Sequence, residues 1–451
     1  MRIDHRAAVR QRKHHGLPVT ADPFRRRLRS AAVSAAAAAP ACRAMRRAPR
    51  DTEAVFRRDN KSTGLLPRSA LSSPNFYRVP ARRHSQECNH WVQEAIIFVK
   101  NAWYCAGWDH ELSQGKTAVL SRRIAGESVV LYRKLDGAVV ALEDRCPHRQ
   151  AALSLGRKEG DSLRCMYHGM KFGPDGQCNE IPGQTTIPER ACVRAFPVVE
   201  KDNWIWVWMG DAVKADPALI CFSVGPGDAG WNIKTSQVHV KTNYRLEIAN
   251  LMDLTHIAWV HDATFGGTRE YELVRPRMTM RPRGIDSDIW LRNVPVTRFA
   301  QHLFPPDMRF DLHFDVQFSV PCNFVLHFKV YVAGTATEGP SDGQLVLDSY
   351  SCQAVTPCDA DSVQYYYSWG ASRATDSPGL SDLLKEAIDA AFLEDKLTLE
   401  AQHRNISEKP DFKTIDIVHD AGPGKMLWLL DKMLKEEAAA EKRAIPIAAT
   451  V

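Results

Sequence analysis

No stretch of these 451 residues approaches the run of about eighteen apolar residues that a membrane-crossing helix needs, so none is expected. The first 95 residues lack the leucine-rich apolar core of a secretory signal. They are also short of acid, with 20 Lys/Arg against 7 Asp/Glu, a balance of +13. The remaining 39 basic and 46 acidic residues leave −7, so the net charge of +6 belongs to this leader. The body of the chain therefore gives no basic surface for nucleic acid, and no membrane partner is expected either. With Arg25-Arg26-Arg27, the run Ala35–Ala39 and Arg46-Arg47, residues 1–95 are expected to be a basic, disordered extension, translated from upstream of the natural start. An organelle transit peptide is the next alternative. A nucleic-acid arm ranks last, because no aromatics interleave with the charges.

The eleven cysteines are odd in number and follow no regular framework, so a disulfide scaffold is not expected and a reducing compartment, the cytoplasm, is. There is no internal repeat. A dinucleotide fingerprint is missing too: Gly422-Pro-Gly424-Lys425 is too short and lies outside any strand–turn–helix context.

What the chain does have is two cysteine–histidine pairs, Cys146-Pro-His148 and Cys165-Met-Tyr-His168, with sixteen residues between them. Two thiolates and two imidazoles shared between two loops form the ligand set of a Rieske [2Fe–2S] centre, where histidines replace cysteines on one iron and raise its potential. A structural zinc site competes for the same residue types, but its ligand pairs usually carry wider gaps. The loops resemble the Rieske domain of ring-hydroxylating or demethylating oxygenases. Respiratory Rieske proteins carry an additional cysteine in each loop, whereas Ala151 and Tyr167 stand at the corresponding places here.

A second constellation follows, Asn250-Leu-Met-Asp253-Leu-Thr-His256, ending at His261. Two histidines and a carboxylate on one face hold mononuclear non-haem Fe(II) and leave positions open for oxygen. Asp253 and His256 share a helical face, but His256 and His261 are five apart, so a π-type bulge is expected to realign them. The bland alternative is an amphipathic helix with two incidental histidines. By resemblance to the vanillate O-demethylase group, Asp395 in the segment Phe392–Gln402 is the third ligand, with Glu394 its rival and a solvated acidic face the remaining alternative. Asp253 is then implied to link a mononuclear-site histidine to His148 or His168 of a neighbouring subunit, with Asn250 supporting the site by hydrogen bonding or by helix packing.

The resemblance covers roughly residues 96–440 and implies an α+β chain. An all-β Rieske domain over 96–211 precedes a catalytic domain over 212–445, whose curved antiparallel sheet embraces helices in a helix-grip manner. Strands are expected at Glu127–Arg133, Ala138–Glu143, Trp204–Trp208, Phe310–Val316 and Phe324–Val332, and helices at 381–405 and 425–442. The implied activity is that of a monooxygenase that O-demethylates, or hydroxylates, an aromatic substrate such as a methoxylated aromatic acid, using O2. N-demethylation or ring hydroxylation is the alternative within the family, and a bare Rieske electron carrier or redox sensor the alternative outside it. A flavin- and iron–sulfur-bearing reductase, or a ferredoxin, is implied to bring electrons from NAD(P)H, and a homotrimer is implied to join the two centres. Arg298, His302 and His313 are candidates to meet a substrate carboxylate.

Overall fold

The computed structural model describes residues 98–112, 119–266, 268–337 and 343–444, so the expected basic leader lies outside the described residues. Among the described residues, the first part of the chain has eleven strands: β1 (Trp103–Trp108), β2 (Val119–Ile124), β3 (Glu127–Arg133), β4 (Val139–Glu143), β5 (Arg157–Glu159), β6 (Ser162–Arg164), β7 (Lys171–Phe172), β8 (Cys178–Glu180), β9 (Ala195–Phe196), β10 (Val198–Lys201) and β11 (Trp204–Trp208). They form three antiparallel sheets in the orders β1-β11-β10, β2-β3-β4-β9 and β5-β6-β7-β8. All five residues of β11, Trp-Ile-Trp-Val-Trp, are buried. Side chains of a strand alternate between faces, so Ile205 and Val207 join one core while the three tryptophans join another. The Trp103, Trp108 and Trp208 indoles donate to the carbonyls of Asp216, Ser236 and Asp211, which removes the cost of burying those N–H groups.

The second part is one seven-stranded antiparallel sheet made of β12 (Trp231–Val240), β13 (Arg277–Arg281), β14 (Gly284–Pro295), β15 (Arg309–Ser319), β16 (Asn323–Val332), β17 (Leu345–Pro357) and β18 (Val363–Ser372), in the order β12-β18-β17-β16-β15-β14-β13. Its alternation is clean: on β15, Phe310, Leu312, Phe314 and Val316 face inward, whereas His313, Asp315 and Gln317 are only partly buried on the other side. Among the described residues, four helices complete it, α1 (Tyr244–Met252), α2 (Ile257–Val260), α3 (Leu380–Glu408) and α4 (Ala421–Ala444). Helix α3 packs on β12 and β18, and α4 packs on α1. Buried Leu384, Ile388, Ala391, Phe392, Asp395 and Leu399 recur at helical spacing along α3, so a carboxylate sits within an apolar stripe. Polar contacts join the two parts, with the Thr356 hydroxyl donating to the Cys105 carbonyl at 2.6 Å and Tyr366 to that of Ala106 at 3.0 Å. Among the described residues, no helix is long and apolar enough to cross a membrane.

One expectation is corrected. Residues Asn250–His261 do not form a single helix with a π-type bulge. Helix α1 stops at Met252, Asp253 is extended at φ −109° and ψ 99°, and a 3-10 turn over Leu254–His256 leads into α2. The cause is local: the Asp253 carboxylate accepts from the Thr255 backbone N–H at 2.9 Å and its hydroxyl at 2.7 Å, capping a new turn rather than continuing the old one.

Candidate active site

The four cysteine and histidine residues of the first constellation lie on two loops of matching construction. In each loop the cysteine N–H donates to the carbonyl five residues on, Cys146 to Ala151 and Cys165 to Met170, both at 2.8 Å. The residue four positions on returns a bond to the cysteine carbonyl and adopts a left-handed conformation, Gln150 at φ 59° and Gly169 at φ 79°. A Cβ on Gly169 would lie 2.7 Å from the Pro182 ring, so crowding adds to the left-handed conformation in favouring glycine there. The loops bury Cys146 and Cys165, 2% and 1% exposed, and leave His148 and His168 at the surface with ring centroids 4.4 Å apart.

This donor set fits a Rieske cluster. Burial pushes the Cys146 thiol up to about 11, opposed by the backbone N–H groups of His148 and Arg149, which point at its sulfur. A thiolate there needs cationic iron beside it, and N–H···S bonds are among the groups that set a cluster's potential. The histidine side faces outward.

The second constellation converges on a point between α1, α2 and α3. His256, His261 and Asp395 each bring a ligand atom within 4.8 Å of the others. Asp395, 2% exposed, has its two oxygens 3.5 Å from His256 Nε2 and 3.3 Å from His261 Nε2. Both imidazoles turn Nε2 inward because Nδ1 is held from behind. His256 Nδ1 meets the Asp253 carbonyl, and His261 Nδ1 meets Glu394 Oε2 at 2.9 Å. A held Nδ1–H leaves the Nε2 lone pair for a metal, which is how outer hydrogen bonds orient ligating histidines. Burial draws the His261 pKa down, but the Asp395 and Glu394 carboxylates outweigh it and raise it. Two imidazoles and a carboxylate with room beside them fit mononuclear iron.

Asp395 faces the two histidines, whereas Glu394 braces His261 and accepts from the Thr264 hydroxyl at 2.7 Å. Asn250 donates to Asp395 Oδ1 at 3.1 Å. The contact from Asp253 to His256 is made by its backbone carbonyl and not, as expected, by its carboxylate. That carboxylate keeps Oδ2 without a hydrogen bond among the described residues, beside the capped Oδ1. Arg298 approaches Asp262 at 3.5 Å, His302 is exposed, and His313 stacks on Trp290 at 4.3 Å on the sheet's other face.

Sequence reasoning missed Glu247. It lies three residues before Asn250 on α1, is 1% exposed, and has an Oε2 without a hydrogen bond. Burial, and next the Asp395 charge, push its pKa from 4.5 to about 8. An acid whose folded pKa is raised binds more protons folded than unfolded, so wild-type stability falls as pH rises from 4.5 to 8. In the metal-free protein, Glu247→Gln is expected to remove a few kcal/mol of that fall. Thermal unfolding against pH checks it, and parallel curves for the two proteins would contradict it. Glu394→Gln is expected to weaken iron at the histidine–carboxylate site by about 10–100-fold, as loss of an outer-shell partner does, while the reduced cluster's EPR signal stays unchanged.

The triad opens onto a cavity of about 170 Å³ between the sheet and α3. Phe310, Phe314, Phe324, Phe328, Trp369 and Phe392 contribute to its wall. An apolar cavity of about 150 Å³ already admits benzene, so this one has room for a substituted ring.

Comparison with known proteins agrees with this geometry. Residues 102–197 match the Rieske [2Fe-2S] domain, and residues 240–436 match the vanillate O-demethylase oxygenase C-terminal domain. The iron–sulfur subunit of the toluene-4-sulfonate monooxygenase system of Comamonas testosteroni is 35% identical over 346 residues, 76% of this chain and 98% of that one. The vanillate O-demethylase oxygenase subunit of Pseudomonas sp. strain HR199 is 31% identical over 77% of this chain and 98% of its own. Among solved structures, dicamba monooxygenase bound to dicamba superposes with a TM-score of 0.68 at 30% identity, covering 76% of this chain and all of that one. The chain belongs to the Rieske non-haem iron oxygenases, as an oxygenase component of the vanillate O-demethylase group that carries a [2Fe–2S] cluster and a mononuclear iron.

Proposed function

We propose that this oxygenase component O-demethylates a methoxylated aromatic compound, with His256, His261 and Asp395 holding the iron and Cys146, His148, Cys165 and His168 holding the cluster. The observation that carries the proposal is the triad at the mouth of an apolar cavity with room for an aromatic ring. When bound, the cluster would supply electrons and the iron would supply the open position at which oxygen is activated.

The chain's own residues do the rest. Glu394 and the Asp253 carbonyl keep both imidazoles in the Nε2-inward tautomer, and Asn250 fixes the Asp395 carboxylate. The phenylalanines exclude water and seat the ring so that one methoxy carbon faces the triad, which is what an oriented reaction requires. Hydroxylation of that carbon gives a hemiacetal that falls apart to a phenol and formaldehyde.

Electrons reach the chain from a separate reductase or ferredoxin, and the chain divides into a cluster-bearing unit over 96–211 and a catalytic unit over 212–445. Copies assemble as a closed trimeric ring that brings the cluster of one subunit to the Asp253 turn of the next. The surfaces support it: Met166 and Tyr167 beside the cluster loops, and Trp259 and Leu397 beside the triad, are exposed apolar groups. The experiment is to supply reductant and a methoxyarene and follow oxygen and formaldehyde. One formaldehyde per oxygen consumed is expected. Oxygen uptake with a hydroxylated ring and no formaldehyde would instead favour ring hydroxylation, and no uptake at all would favour a carrier.

A further inference from the structure

The wall of the cavity narrows the substrate class, on the reading that this cavity is the substrate site of the demethylase. Among the described residues that line it there is no lysine or arginine, and the only charged or basic groups are His256, His261 and Asp395, the metal set itself. Two nearby arginines are engaged elsewhere: Arg298, the sequence candidate, is half exposed on Asp262, and Arg292 lies over the Trp290 ring and bonds Asp311. An ionised carboxylate or sulfonate entering this space would lose most of its hydration and meet no lysine or arginine.

Tyr271 and Thr297 bring hydroxyls to the wall, and two further polar residues there, Gln353 and Ser351, form a directed chain with Tyr365 behind them. Tyr365 donates to Gln353 Oε1 at 2.8 Å, and Gln353 Nε2 donates to Ser351 Oγ at 3.0 Å. Ser351 is 1% exposed and lies on the cavity wall. Its oxygen is thus already an acceptor, and its own O–H finds no acceptor among the described residues. A buried hydroxyl with an unused proton is costly unless a ligand takes that proton.

We infer that this chain takes a neutral aromatic substrate whose ether, carbonyl or phenol oxygen accepts a hydrogen bond from Ser351, and that it rejects anionic aromatic acids. Ser351 is then a specificity-determining group of a mostly apolar site. The names of the relatives point the other way for those proteins, since toluene-4-sulfonate and vanillate are anions at neutral pH.

The test uses the holoenzyme without oxygen and a near-isosteric pair, methyl 4-methoxybenzoate and the 4-methoxybenzoate anion, titrated by calorimetry at neutral pH. The ester is expected to bind at least about 100-fold more tightly than the acid, because the unpaired charge is not compensated in the cavity. Ser351→Ala is expected to weaken the ester by about 10-fold, the worth of one hydrogen bond, and to leave toluene unchanged. Acid binding equal to or tighter than ester overturns the inference, and so does failure of both ester and toluene to bind. An ester that binds but is not demethylated leaves the neutral site standing and removes the demethylase reading. An acid demethylated in preference to its ester does the reverse.

Discussion

Asp395→Ala is expected to abolish oxygenation, with a fall of at least about 10³-fold, since a ligand is worth more than the 10–100-fold of an outer-shell partner. The loss should be selective. Asp395 lies on α3, while the proposed cluster ligands lie on the β4–β5 and β6–β7 loops, which have no part in its contacts. Metal analysis beside the wild type should show one iron lost per chain with acid-labile sulfide unchanged. The variant should not unfold, because removing Asp395 also relieves the charge that helps to push Glu247 up. Retained iron with normal turnover would transfer the ligand role away from Asp395, with Glu394 the adjacent carboxylate to examine next.

Asp253→Asn is expected to keep both metal centres and lose about 100-fold in turnover, the upper end for an outer-shell partner. Asparagine caps a helical turn as well as aspartate does, so the turn over Leu254–His256 should survive, and the backbone carbonyl that holds His256 is untouched. What goes is the charge at Oδ2, the oxygen available to accept an N–H from a cluster histidine of the neighbouring subunit in the proposed ring. Full iron content with normal turnover would sink the assignment. Full iron, a cluster that reduces normally and little product would support it.

Much of this was legible in the sequence because the chemistry comes in compact, ordered spacings. The two cysteine–histidine pairs and the strands Glu127–Arg133 and Trp204–Trp208 stand where the residue pattern puts them. The helix carrying Asp395, expected over 381–405, extends over Leu380–Glu408. The choice between Glu394 and Asp395 was open to a sharper reading. Leu384, Ile388, Phe392 and Leu399 define an apolar stripe, and Asp395 falls on it while Glu394 does not. The break at Asp253 was harder to foresee, since Asp-Leu-Thr reads as helix interior unless the side-chain cap onto Thr255 is weighed against helix continuation. Glu247 and Ser351 left no local signal. Their roles come from burial and from partners distant in sequence, such as Asp395 and Tyr365, which only the folded sheet and helices bring near.

Iron and acid-labile sulfide on anaerobically purified protein, read beside its EPR spectrum, test most directly whether one chain holds two different iron centres. About three irons to two sulfides per chain, with a Rieske-type signal on reduction, is the predicted result. About two irons to two sulfides, unchanged in the Asp395→Ala variant, would contradict it and leave an electron carrier in place of an oxygenase.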